Sequence, residues 1–157
     1  MNKLISTTLL ASFLAVTTSH SNVPDSANAQ SFARPRPDLN GFLVRNPVNG
    51  MIFWVDRGQR RHILNPSVYQ RLFVSNHRDY LDNEAIQPGP SINGNNRLVR
   101  CGEQGNRLSG RVYLLDQGTK RHITSPTAMK KNNFNWNVIS NVYCPVLDTI
   151  TNGSPIN

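Results

Sequence analysis

The chain has 157 residues, with 17 Lys plus Arg against 9 Asp plus Glu, a net charge of +8, 10 Gly and 10 Pro. That length holds one modest domain or two very small ones, and the abundance of Pro, Gly and Asn excludes a helical bundle. A composition of 38% hydrophobic and only 17% charged residues argues against a wholly disordered chain.

Residues 1–29 have the form of a secretory signal peptide. Lys3 makes a basic start, Leu9 to Val16 is an apolar run, and Ala27-Asn28-Ala29 is a cleavage pattern before Gln30. The run is shorter than the roughly 20 residues a bilayer-spanning helix needs, and no later stretch approaches that length, so no transmembrane segment is expected. No Cys follows the run, which removes the basis for a lipid anchor. The mature protein is expected to be secreted, periplasmic or at the cell surface. Lys3 and Asp25 leave together, so the +8 charge belongs to the mature chain.

Residues 30–39, Gln-Ser-Phe-Ala-Arg-Pro-Arg-Pro-Asp-Leu, carry two Pro and no apolar period. They read as a linker or arm.

An internal repeat follows. Gly50-Met-Ile-Phe-Trp-Val-Asp-Arg-Gly-Gln-Arg-Arg-His-Ile-Leu-Asn-Pro66 matches Gly110-Arg-Val-Tyr-Leu-Leu-Asp-Gln-Gly-Thr-Lys-Arg-His-Ile-Thr-Ser-Pro126 at a spacing of 60. Leu43-Val44-Arg45 answers Leu98-Val99-Arg100. Ile86-Gln-Pro-Gly89-Pro-Ser-Ile92 answers Ile150-Thr-Asn-Gly153-Ser-Pro-Ile156, with four extra residues in the second copy assigned to 132–137. The copies run over residues 40–93 and 96–157.

Each copy spells out the same elements. Leu43 to Arg45 and Leu98 to Arg100 read as a first strand. Met51 to Val55 and Val112 to Leu115 are rich in β-branched and aromatic residues, and the Asp-x-Gly then Arg-His-Ile that follows signals a β-hairpin with Gly at positive φ. Asn65-Pro66 and Ser125-Pro126 supply an N-cap followed by Pro at the first helical position. Short helices are predicted over 66–73 and 126–132. The fold class expected is α+β: two small hairpin-plus-helix repeats, each too small to bury much core alone, packed as one pseudo-symmetric domain.

Export places Cys101 and Cys144 in an oxidising setting, where they form the only possible intramolecular pair and are expected to be disulfide-bonded. They align with Asn46 and Tyr80, so the first copy lacks both halves of the bridge. That joint loss predicts that the end of the first strand lies beside the segment after the helix.

The series Leu-Val-Arg, Val-Tyr-Leu-Leu-Asp-x-Gly-x-Lys-Arg-His-Ile-x-Ser-Pro, Phe134-Asn-Trp136 and Ile-x-x-Gly-x-Pro-Ile resembles a tandem repeat of exported bacterial proteins, often found beside enzyme or cell-wall domains. The resemblance spans nearly the whole mature chain, and it implies this architecture, an extracytoplasmic location and surface attachment. The first copy departs from the pattern by lacking the Phe-x-Trp piece.

The candidate ligand-binding residues are the basic clusters on the second hairpin strands, Arg60, Arg61 and His62 in one copy and Lys120, Arg121 and His122 in the other, together with Trp136. If Ile63 is core, strand alternation turns His62 outward beside Arg60, over Ile52 or Phe53 according to the hairpin register. Asp56 and Asp116 are expected to cap their turns. Trp54, opposite an aliphatic in the repeat, reads as core, and Trp136, flanked by Asn, as a surface for stacking on a sugar. No catalytic residues, metal site or cofactor are nominated, because His62, His77 and His122 have no recognisable partners at catalytic or ligating spacing.

Basic residues spread without a dense run or a base-stacking motif give no expectation of nucleic acid. The natural partner outside a cell is an anionic polysaccharide or cell-wall polymer. The expected function is therefore that of a secreted, non-enzymatic envelope-binding module. The alternatives are a small extracellular hydrolase, for which His122 with Asp116 is the one arrangement available, and an inhibitor of an extracellular enzyme.

Overall fold

The computed structural model describes residues 32–157; the expected signal peptide over 1–29 lies outside the described residues. The described chain is α+β, with two sheets and few, short helices.

The first sheet contains β1 (Leu43–Arg45), β2 (Ile52–Asp56), β3 (Gln59–His62) and β4 (His77–Asp79), in the order β3-β2-β1-β4. The second contains β5 (Arg97–Arg100), β6 (Val112–Asp116), β7 (Thr119–Ile123), β8 (Ser140–Asn141) and β9 (Thr151–Asn152), in the order β8-β5-β6-β7-β9. Helix α1 (Pro66–Leu72) follows β3, α2 (Pro126–Lys131) follows β7, and α3 (Cys144–Thr149) lies between β8 and β9.

The hairpins close through two-residue turns. Asp56 pairs with Gln59 and Asp116 with Thr119, leaving Arg57-Gly58 and Gln117-Gly118 as the loops. Both residues of each loop have positive φ, 52° and 75° in the first and 49° and 73° in the second. This is the type I′ geometry that matches the twist of the flanking strands. The register sets His62 against Phe53 and His122 against Tyr113. The helices start as predicted: Asn65 accepts from the Val68 N–H and Ser125 from the Ala128 N–H, with Pro66 and Pro126 at the first helical positions.

The place of the post-helix segments beside the first strands is as expected, but their pairing there as short parallel strands is not. β4 pairs with β1 and β8 with β5, each in parallel register. The Ile-x-x-Gly-x-x-Ile segments, 86–92 and 150–156, run parallel beside the second hairpin strands, with bridges Arg60–Pro88, Ile63–Ile92 and Ile123–Ile156. Gly89 and Gly153 permit that approach. A Cβ at Gly89 would lie 2.9 Å from Gln59 Cβ, and one at Gly153 would lie 2.8 Å from Arg121 Cγ.

Three apolar clusters hold the sheets. The largest joins both copies: Leu43, Trp54, Ile63, Leu72 and Phe73 from the first pack with Leu98, Leu114, Ile123, Met129 and Phe134 from the second. The helix ends meet there, where Val74 N–H donates to Asn133 O at 2.8 Å, Asn135 N–H to Leu72 O at 2.9 Å, and the Phe73 and Phe134 rings stack at 5.5 Å. The opposite face of each sheet has its own cluster, Val44, Phe53, Val55 and Ile86 in one and Val99, Tyr113 and Leu147 in the other. The central strands are thus covered on both faces, so their apolar residues run on without strict alternation.

Cys101 and Cys144 are disulfide-bonded across 43 residues, with Cα atoms 5.1 Å apart. In the chain-entropy model a loop of that size stabilises by about 4 kcal/mol. The end of the first strand does lie beside the segment after the helix, since Tyr80 N–H donates to Arg45 O and Val142 N–H to Arg100 O, both at 2.9 Å. Tyr80 is therefore the counterpart of Val142, and Cys144 lies two residues beyond it, which corrects the pairing of Cys144 with Tyr80. The extra residues of the second copy are likewise spread out rather than gathered in 132–137. One is Asn133, at φ 55°, and others fall before β8 and within α3.

The segment read as a linker is docked from Arg34 onward. Arg34 N–H donates to Ala85 O, Gln87 N–H to Arg34 O and Arg36 N–H to Gly58 O, at 2.8–3.0 Å. Pro35 disfavours helical backbone at Arg34, which stays extended for the parallel bridge to Ile86, and Pro37 opens a single 3-10 turn over Pro37–Leu39.

Candidate functional site

The four groups conserved in position between the copies, Asp56, Arg61, Asp116 and Arg121, are buried together. Arg61 donates from Nη1 and Nη2 to the two carboxylate oxygens of Asp116, both at 2.7 Å, and from Nη1 to Asp56 at 3.1 Å. Arg121 makes the reciprocal set, to Asp56 at 2.6 and 3.0 Å and to Asp116 at 3.1 Å. The guanidinium carbons lie 5.5 and 6.0 Å from the Trp54 ring centroid. Arg61 Nε donates to Pro90 O at 2.7 Å and Arg121 Nε to Ser154 O at 2.9 Å. Asn96 adds a bond to Asp116 Oδ1 at 2.9 Å. Burial pushes the Asp116 carboxyl up, but the hydrogen bonds and charges of Arg61 and then Arg121 outweigh it and hold the pKa at about 2.

This cluster corrects several expectations. Arg61 and Arg121 do not belong to an exposed basic face: they are 0% and 3% exposed. In a strand, residues two apart share a face, so Arg61 goes inward with Ile63 and Arg121 with Ile123, and two carboxylates meet them there. Lys120 is also buried, 3% exposed, and its Nζ donates to the carbonyls of Asp148 and Ile150. Its counterpart Arg60 is half-buried, donating to Ile86 O at 3.0 Å and to Glu84 at 2.5 Å. The returning segments cover this strand, and the long basic side chains satisfy their carbonyls. Asp56 and Asp116 do not cap their turns, because their carboxylates are taken by the guanidiniums; Asn40 Oδ1 accepts the Gly58 N–H instead, at 2.6 Å.

His62 and His122 face the other way. Their rings pack on Phe53 and Tyr113, each with centroids 5.3 Å apart. Burial, with Arg60 as a secondary cause, lowers the pKa of His62; burial, with Arg111 as a secondary cause, lowers that of His122. The His122–Asp116 arrangement nominated for a hydrolase is not formed. The imidazole lies on the outer face of β7 and the carboxylate on the inner face of the hairpin, committed to Arg61, Arg121 and Asn96.

Each imidazole instead lines a groove between the start of the hairpin and the start of the helix. The first, of about 320 Å³, is bounded by Gly50, Met51, His62, Leu64, Pro66 and Tyr69. The second, of about 280 Å³, is bounded by Gly110, Arg111, His122, Thr124, Pro126 and Trp136. Apart from Trp136 these are matched positions of the two copies. Trp136 is 48% exposed, whereas Trp54 is wholly buried. Trp136 reaches the second groove from the extra chain after α2, with Asn135 accepting the Asn137 N–H. The grooves were missed from sequence because Gly50, Met51 and Arg111 read as hairpin ends; the signal was that Gly-x-[Ile/Val] and His-Ile-x-[Asn/Ser]-Pro repeat together.

Among the described residues no helix is long and apolar enough to cross a membrane. No protein-family model, curated protein or solved structure matches the chain.

Proposed function

We propose that the protein is an exported, non-enzymatic module that binds an envelope or extracellular polysaccharide through the two His-lined grooves. The observation that carries this reading is the recurrence of one groove, with His62 or His122 on one wall and the helix-starting Pro66 or Pro126 on the other, in both copies. Sugar rings offer apolar C–H faces and hydroxyls, and the groove walls offer aromatic or thioether surface beside imidazole and hydroxyl groups. In this reading the two copies act as one pseudo-symmetric unit: the reciprocal Arg61–Asp116 and Arg121–Asp56 pairs and the shared apolar cluster support a fixed relation between the grooves. Two sites at a fixed spacing on one polymer raise avidity beyond either site alone. The disulfide suits an oxidising location.

Binding to immobilised envelope polysaccharides tests this, comparing the protein with His62→Ala, His122→Ala and the double variant. Each single variant should weaken retention, and the double variant should abolish it. Retention unchanged by the double variant, or no retention on any polysaccharide, overturns the proposal.

A further inference from the structure

The two grooves differ in one charge. Met51, 40% exposed, stands at the rim of the first. Arg111, exposed, stands at the matched position of the second. Among the described residues the cation that acts on His62 is Arg60, already engaged by Glu84 at 2.5 Å and by Ile86 O at 3.0 Å. Arg111 makes no ion pair among the described residues, and it lines the second groove together with His122, whose pKa its charge helps to lower. No acid lines that groove, and Trp136 forms one of its walls with nearly half its surface open.

We infer that the second groove selects a sugar ring bearing an anionic substituent, while the first accepts a neutral ring; this deepens, and rests on, the saccharide-binding reading above. Trp136 supplies the face on which the ring stacks, and Arg111 supplies a planar fork of N–H donors for a carboxylate or sulfate. Thr124 and His122 stand beside them for ring hydroxyls. A volume of about 280 Å³ lies just below the usual range of whole-ligand sites and suits one unit of a chain. The protein would thus hold one charged and one neutral unit, with the charged one at the second copy.

The probes are a neutral galactan oligosaccharide, an oligogalacturonate and a sulfated galactan oligosaccharide of equal length. Binding is followed by titration calorimetry and by Trp fluorescence; because Trp54 is buried, the signal reports Trp136. At least one anionic probe should bind about tenfold more tightly than the neutral one, the size of a single charge-assisted contact. Arg111→Met should remove that preference, bringing the anionic probes to the affinity of the neutral one, and Met51→Arg should create a second anion-preferring site. Both substitutions are at exposed positions, and an unchanged thermal midpoint confirms folding. Which anionic probe is preferred distinguishes carboxylate from sulfate. Equal binding of neutral and anionic probes, or a preference that survives Arg111→Met, overturns this inference alone. Absence of binding by all three, with the protein still retained on another envelope polysaccharide through His62 and His122, overturns this inference alone, and absence of both overturns the saccharide reading itself.

Discussion

Arg61 and Asp116 lie 55 residues apart in sequence, in different sheets, and meet through two parallel hydrogen bonds of 2.7 Å inside the protein. Arg121 and Asp56 repeat the contact in reverse. Each hairpin thus supplies the guanidinium for the other hairpin's carboxylate, and neither copy can satisfy its own buried charges fully. Such a group of charges is costly to desolvate, so its net worth to stability is small while its integrity matters greatly.

Removing one member therefore has a large effect. Asp116→Ala leaves Arg61 with Asp56 as its one carboxylate partner and the Asn96 amide with only the longer bond to Leu115 O at 3.3 Å. The expected loss is about 3–5 kcal/mol of unfolding free energy, read from urea denaturation. A loss below about 1 kcal/mol would show that the cluster is not held as described.

Acid should act through the same carboxyl. The pKa of Asp116 is about 2 in the folded state, below its ordinary 3.8. The unfolded chain therefore binds more protons between those values, and stability rises with pH across them. The contribution is complete above the ordinary carboxyl range and is lost as pH falls toward about 2. The denaturation midpoint of Asp116→Asn should vary less with pH in that window than that of the parent; parallel pH profiles would refute the assignment.

The histidines give a second, independent pH signal. Both His62 and His122 have pKa values lowered from 6.5 by burial, aided by Arg60 and Arg111. A lowered imidazole pKa favours the folded state while the ring is neutral, so that contribution is present above the ordinary value and lost as pH falls from it through the lowered folded-state value. Imidazole resonances should titrate below 6.5 for both residues, and Arg111→Met should raise the His122 midpoint while leaving that of His62 in place.

The close approach of the returning segments makes Gly153 irreplaceable in its place. A Cβ there would meet Arg121 Cγ at 2.8 Å. Gly153→Ala should lower the thermal midpoint, whereas Gly102→Ala, which has no neighbour within 4 Å, should not. Equal midpoints for the two variants would show that the segment can move aside freely.

The disulfide is checked by mass after alkylation. Without reduction no thiol should react, as no Cys is free. Cys101→Ala with Cys144→Ala should lose about 4 kcal/mol by the loop-entropy relation. Alkylation of the unreduced protein at either Cys would overturn the pairing.

Local rules made much of the fold legible. The Asp-x-Gly signals located both hairpin turns, and Asn65-Pro66 and Ser125-Pro126 located both helix starts, because capping and turn chemistry act over a few residues. The missing Cys pair of the first copy already set the segment after the helix beside the first strand, but that β4 and β8 are parallel strands escaped prediction, since parallel neighbours are separated by a whole helix and their residues carry no period of their own. The candidate site was half legible. His62 and His122 line the grooves and Trp136 is exposed beside one of them, but Arg61, Arg121 and Lys120 are interior. Alternation already placed Arg61 on the Ile63 face; its burial could not be inferred without knowing that two carboxylates meet it there.

The +8 charge, the duplicated Arg-His-Ile unit and the elements of each copy follow from the sequence alone, because composition, period and capping are local properties. Which of the basic residues face solvent was decided only by the tertiary structure. A guanidinium goes inside when another part of the chain supplies its counter-charge and carbonyl partners, and here those come from the other copy and from the returning segment. The charge left outside near a groove is Arg111, a residue that the repeat pattern sets against Met51.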